Sequence, residues 1–258
     1  MNVSGNYETD RNLRTRQSIW AYGAGAPFFR RVLDLVSVPE TAPVVDVGCG
    51  NGNYLAELRR RGHRGPLLGL DLSPGMAATA AAASGAPTAV ADAQFLPVGT
   101  ATAGLTLAPH MLYHVPDIPL AVAELRRITA PGGLAVITVN TPWHTHEVDA
   151  LLAKVTTDLL GHPVTMAWDG QRFRSDRAGA LLPTVFDDVA KHDLGWVARV
   201  TSAAAMRGYV ESIPATGLAV PDECRAEVLA EFERRVAARI EATGSFPVTS
   251  GAVAYVCG

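Results

Sequence analysis

Val44-Val45-Asp46-Val47-Gly48-Cys49-Gly50-Asn51-Gly52 is the stretch on which the reading of the chain turns. Val44 to Val47 is a β-branched run broken by one acid, as in a strand buried on both faces. The glycines at 48, 50 and 52 let the backbone turn tightly at that strand's carboxyl end and approach a ligand closely. A helix follows over residues 53–61, with Tyr54, Leu55 and Leu58 on one face and Gly62 to end it. Residues 67–72 form the next strand. Ser73 is a natural N-cap with Pro74 at the first helical position, opening an alanine-rich helix that stops near Gly85 and Pro87. Short strands are expected over 88–91 and 105–109. Next comes a helix over 120–128 with Leu120, Ala123, Leu125 and Ile128 inward, and Pro131-Gly132-Gly133 then turns into a strand over 134–140. This alternation predicts a doubly wound α/β fold with right-handed crossovers.

Beyond Thr141 the alternation weakens. A helix over 148–160 and a loop with Trp168, Gly170 and Phe173 suggest that residues 142–180 form a lid or insertion over a pocket. A sixth strand is expected over 185–200. Val228, Leu229, Phe232, Val236 and Ile240 stripe a helix over 222–242, and the last strand covers 248–257. The expected organisation is one domain: an N-terminal helical segment (1–40), a ligand-binding core (41–141), and the lid with the C-terminal strands and helices (142–258). Tyr7, Trp20 and Tyr22 either close over a ligand or pack helices.

The composition narrows the partners. With 258 residues, 48% of them hydrophobic, the chain can bury a sizeable core. A net charge of −3, with no stripe of Lys and Arg, disfavours nucleic acid. Cys49, Cys224 and Cys257 form no close pair, as expected of a reducing cytosol. The polar, Arg-containing N-terminus and the lack of a long apolar run point away from secretion and from the membrane. A cytoplasmic monomer or homodimer is the expectation.

Two further acids fall in register with the glycines. Asp71 closes the second strand at the spacing of a ribose-binding carboxylate, roughly 20 residues on, though it also suits a cap on the Ser73-Pro74 helix. Asp92, in Val90-Ala91-Asp92-Ala93-Gln94, can accept from an exocyclic amine or serve as a turn residue. Together these residues resemble the class I S-adenosylmethionine-dependent methyltransferases over about residues 44–140. The family's first motif resembles hDhGxGxG, met here by residues 45–52. The resemblance implies a mostly parallel seven-stranded Rossmann-like sheet with an antiparallel last strand, and S-adenosyl-L-methionine as cofactor. It places Asp46, Gly48, Cys49, Gly50 and Gly52 at the floor of the cofactor site and Asp71 with Leu72 at the ribose. Met76, Asp92, Ala93 and Gln94 fall at the adenine. Pro109 ends the fourth strand beside it. The implied reaction is an in-line transfer to an O, N or C nucleophile of a small-molecule acceptor, with secondary metabolism as the expected setting.

His110 and His114, four apart, would share a face beyond the fourth strand if their segment is helical. With Tyr113 they are candidates for substrate contact or proton removal, or else they hold the loop. Cys49 is expected to pack rather than react. His144-Thr145-His146-Glu147 and His162 lack the i, i+4 pairing of a zinc helix and are expected to be solvated or capping, so no metal site is assigned. Two readings compete with methyl transfer. One is an NAD-dependent oxidoreductase, whose G-x-G-x-x-G differs from the spacing at Gly52. The other is a non-catalytic S-adenosylmethionine-binding protein, which would lack room beside the sulfonium methyl. Base methylation of nucleic acid is disfavoured because Ala108-Pro109-His110-Met111 lacks Asn/Asp-Pro-Pro-Tyr/Phe.

Overall fold

A computed structural model describes residues 10–166, 172–213 and 217–258. Seven strands make one sheet: β1 (Val44–Val47), β2 (Leu67–Asp71), β3 (Thr88–Val90), β4 (Ala103–Pro109), β5 (Thr129–Asn140), β6 (Val189–Asp193) and β9 (Ala252–Cys257). Their order is β3-β2-β1-β4-β5-β9-β6, with β9 antiparallel to both its neighbours and β1 to β5 parallel. The expected doubly wound sheet with an antiparallel last strand is the one observed. The chain moves outward from β1 to β3 and then restarts at β4 on the other side of β1. That reversal opens a crevice at the carboxyl ends of β1 and β4.

The helices are α1 (Arg11–Ser18), α2 (Phe28–Leu33), α3 (Asn53–Arg60), α4 (Pro74–Ser84), α5 (Ile118–Ile128), α6 (His146–Leu160), α7 (Ser175–Leu181), α8 (Ala203–Glu211) and α9 (Asp222–Thr243). One sheet face packs on α5 and α7 through Val45, Val47, Ile137, Leu125 and Ala178; the other packs on α2 and α3 through Val44, Leu107, Val32 and Leu55. Side chains alternate across a strand, so adjacent residues such as Val44 and Val45 serve opposite cores. A third apolar cluster lies apart from both. It joins α6, α8 and α9 to Ile19 and to a separate two-stranded antiparallel sheet of β7 (Trp196–Val200) and β8 (Phe246–Ser250).

Several boundaries differ from expectation. The strand expected over 185–200 is two strands, β6 and β7, because Asp193 Oδ1 accepts the Gly195 N–H at 2.8 Å and turns the chain out of the main sheet. The strand expected over 248–257 likewise breaks at Gly251 into β8 and β9, where the Gly251 carbonyl accepts the Thr141 N–H at 2.7 Å. Apolar alternation runs through both breaks, so the sequence pattern hides them. Helix α5 starts two residues early, capped by Asp117, which accepts from the Leu120 N–H at 3.0 Å. This start buries Ala121, Val122, Leu125 and Ile128 and leaves Leu120 and Ala123 exposed. Pro131-Gly132-Gly133 forms an irregularity inside β5, across which the β4 register shifts, rather than a turn before it. In the stretch expected as a lid, Phe173 is buried in the main core and α6 in the third cluster. Trp168, Gly170 and Tyr7 lie outside the described residues.

Candidate active site

The carboxyl ends of β1 to β4 open into a cavity of about 1580 Å³, walled on its other side by α1, the 23–31 segment, β7 and the end of β5. Its floor is the glycine loop. Gly48, Gly50 and Gly52 all take left-handed φ values, 70°, 53° and 77°. A Cβ on Gly48 would meet Met111 Cβ at 2.6 Å, and one on Gly52 would meet the α4 backbone at Ala80 at 2.8 Å. Gly48 therefore brings the segment after β4 against the loop. Gly52 closes α3 on α4 and, contrary to its expected place in the floor, does not line the cavity. Gly48→Ala should cost about 1 to 2 kcal/mol for the left-handed backbone alone, besides displacing Met111. Urea denaturation reads this, and an unchanged midpoint would show that the loop relaxes.

Asp46 is wholly buried two residues before Gly48 and does not line the cavity either. Both its oxygens lack a hydrogen-bond partner, and so does the nearby Tyr54 hydroxyl. Burial, then the charge of Asp71, pushes the Asp46 carboxyl up to about 8. A cation bound on the floor would offset that cost. Cys49 is buried and its Sγ packs on Gly69; burial and both acids hold its thiol far up, so it is no nucleophile.

Asp71 lines the cavity and accepts two backbone hydrogen bonds at 2.9 Å, from the Gly50 N–H at Oδ2 and from the Ser73 N–H at Oδ1. Lining the cavity and bracing the start of the helix are therefore compatible duties for Asp71. Burial raises its carboxyl, against the lowering by these amides and by His114 nearby. Beside it, Leu72 is 53% exposed although apolar, and with the buried Met76 it lines an apolar slot that Asp92 and Ala93 close. Gln94, expected at the adenine, does not reach the cavity. Its backbone N–H donates to Asp92 at 2.9 Å, its Nε2 donates to both Asp92 oxygens at 3.0 Å, and its Oε1 accepts the Asp117 N–H at 3.1 Å. Gln94 positions Asp92 instead.

His110 and His114 do not share a helical face. The His110 N–H donates to the Thr138 carbonyl at 3.0 Å, its φ is 52°, and the helical turn begins only at Leu112. The two side chains diverge. His114 lies near Asp71, with its ring 4.5 Å from that of Tyr113. His110 faces Phe28 at 5.1 Å, and burial pushes its imidazole down to about 4. Pro109, Tyr113 and both histidines line the cavity.

Sequence reading missed four residues here. His144, expected to be solvated or capping, lines the cavity 5.4 Å from Trp20, pushed down to about 3 by burial and by His110. Its position directly after β5 was the available signal, because ligands bind past the strands' carboxyl ends. Asn140 ends β5, only 3% exposed, with its Oδ1 unpartnered. Trp196 and Tyr209 come from distant segments. His146, by contrast, is exposed with Nδ1 3.0 Å from the Trp143 carbonyl. Among the described residues no three His, Cys, Asp or Glu side chains converge on a metal position.

Residues 45–137 match the family model described as a methyltransferase domain. Over those residues, from β1 into β5, the chain is similar to the methyltransferase-domain family. It is 29% identical over 221 residues to the trans-aconitate 2-methyltransferase of Variovorax paradoxus, covering 80% of this chain and 82% of that protein. It is 32% identical over 119 residues to the malonyl-(acyl-carrier protein) O-methyltransferase of Serratia marcescens, covering 44% of this chain and 46% of that one. The match thus spans about half of the Serratia protein. A putative methyltransferase from an antibiotic biosynthesis pathway of Anabaena variabilis shares the fold, with TM-score 0.64 and 16% identity over 89% of this chain and 96% of that one. S-adenosyl-L-methionine is the cofactor that the resemblance of residues 45–52 to the family's first motif implies. The residues present fit it: a cradle at Gly48 and Gly50, an unpartnered buried acid behind the floor, and a carboxylate and an apolar slot alongside.

Proposed function

We propose that the chain methylates a small molecule bound beside S-adenosyl-L-methionine in this cavity. The size of the cavity carries the reading. At about 1580 Å³ it exceeds the roughly 300 to 1,000 Å³ of a pocket for one ligand, so there is room for an acceptor next to the cofactor. A non-catalytic binding protein has no use for that space. The relatives' names specify methylation of trans-aconitate and of malonyl-acyl-carrier protein, which supports the class of reaction.

The bound cofactor supplies an electrophilic methyl group. Gly48 and Gly50 would form its seat, Asp71 would accept from the ribose hydroxyls, Leu72 and Met76 would flank the adenine, and Asp92 with Ala93 would meet its edge. The chain's remaining task is to align an acceptor and exclude water, and alignment supplies up to about 7 to 11 kcal/mol in well-oriented systems. His110, neutral through the physiological range, is the group we place at the acceptor to take a proton, with His114 on the cofactor side. Isothermal calorimetry tests the reading. One equivalent of S-adenosylhomocysteine should bind, and NAD should not; the reverse would make the oxidoreductase reading the correct one.

A further inference from the structure

The far half of the cavity has a definite chemistry. Ring contacts run without a gap from His144 to Trp20 (5.4 Å), Trp20 to Trp196 (5.4 Å), Trp196 to Phe28 (5.8 Å) and Phe28 to His110 (5.1 Å). The two imidazoles at the ends of this series are close enough for His110 to disfavour charge on His144. All five side chains line the cavity, so the series is a continuous aromatic wall, with Phe28 and Trp196 stacked at 27° and Trp20 edge-on to Trp196 at 70°. Two polar features accompany it. Among the described residues Asn140 presents a buried Oδ1 without a hydrogen-bond partner, which a donor from the ligand can satisfy. Arg31 lies 5.0 Å over the Trp196 ring, and Arg16 donates to the Ser212 carbonyl at 2.7 Å nearby. The carboxylates among the cavity-lining residues, Asp71 and Asp92, are both on the cofactor side. A cationic amine, which aromatic walls otherwise suit, would here meet two guanidinium groups and, among the described residues, no compensating acid on this side of the cavity.

Resting on the methyltransferase reading above, we propose that the acceptor is a planar aromatic compound with at least two hydroxyl groups, lying against this wall. One hydroxyl donates to Asn140 Oδ1 and the other, the nucleophile, donates to His110. In the transfer the nucleophilic O–H bond breaks and its proton passes to the His110 imidazole and on to water. A bond forms from that oxygen to the methyl carbon, and the C–S electron pair stays on sulfur. The products are an aryl methyl ether, S-adenosylhomocysteine and one proton.

Binding to the protein saturated with S-adenosylhomocysteine tests this by calorimetry and by quenching of tryptophan fluorescence. 2,3-Dihydroxynaphthalene should bind at least tenfold tighter than 2-naphthol, and 2-naphthol tighter than naphthalene, since an unmet buried acceptor penalises a ligand that lacks the donor. Asn140→Ala should erase the first difference. Trp196→Leu should weaken all three ligands about tenfold while leaving S-adenosylhomocysteine affinity unchanged, and Phe28→Leu should do the same if the Trp196 variant fails to fold. The proposal is overturned if decanoate or phenethylamine binds as tightly as the naphthols, or if the hydroxyl count has no effect. Failure of S-adenosylhomocysteine itself to bind would instead sink the methyltransferase reading.

Discussion

Asp71→Asn lowers S-adenosylhomocysteine affinity by about 10- to 100-fold, corresponding to about 1.5 to 3 kcal/mol for hydrogen bonds to a charged acceptor. The carboxylate has two duties, and the substitution affects them differently. Toward the ligand, a neutral amide oxygen replaces a charged one. Toward the protein, the two oxygens that accept from Gly50 and Ser73 become one oxygen and one NH₂ group. One backbone N–H then faces a donor, at a cost of about 1 to 3 kcal/mol for an unmet buried group. Part of that cost is offset because the amide escapes the burial that raises the Asp71 carboxyl. The expected pattern is therefore a large affinity loss with a small drop in unfolding midpoint. An affinity within threefold of the unsubstituted protein would reject the ribose role, and a large stability loss without an affinity loss would make Asp71 a loop brace only.

Replacing both His110 and His144 with Phe should stabilise the protein at pH 4.5 relative to the unsubstituted chain by several kcal/mol more than at pH 7.5. The imidazoles sit at about 4 and about 3 in the fold and near 6.5 when unfolded. Between those values the unfolded chain binds the protons and the folded one does not. The stability that goes with the neutral pair is thus fully present above pH 6.5 and lost as pH falls toward 4 and 3. Each tenfold weakening of an imidazole's proton affinity on folding corresponds to about 1.4 kcal/mol of that loss. Asp46 acts in the opposite sense. With its carboxyl at about 8, its share is present below pH 4 and lost as pH rises through 8. Comparing variant with unsubstituted protein cancels Asp46. Urea midpoints at the two pH values measure the difference. An equal gap at both would show that the pair is not held neutral.

How far the sequence carried depended on the range of the interactions. The glycine loop was legible because Gly48, Gly50 and Gly52 need backbone angles that a side chain resists, a constraint visible in residue type alone. Asp71 was legible because strand length and helix length set its distance from the loop. Gln94 was misread for the same reason: its place in the motif is local, whereas its partner, Asp117, lies 23 residues away across a loop. The shared face of His110 and His114 failed because a helical period was assumed where one backbone bond to Thr138 bends the chain.

By itself the sequence determined the parallel core, its winding, the helix caps at Ser73 and Gly85, and the left-handed glycine loop with Asp71 beside it. Each follows from local patterning: apolar alternation, capping chemistry and the steric freedom of glycine. Only the tertiary structure decided the far half of the cavity. Trp20, Phe28, His110, Asn140, His144 and Trp196 are spread over 177 positions of chain and meet only because β7 leaves the main sheet at Gly195 and β8 leaves it at Gly251. Whether an imidazole there is solvated or neutral and buried depends on what covers it. Those covering atoms come from segments remote in sequence, so no local pattern records them.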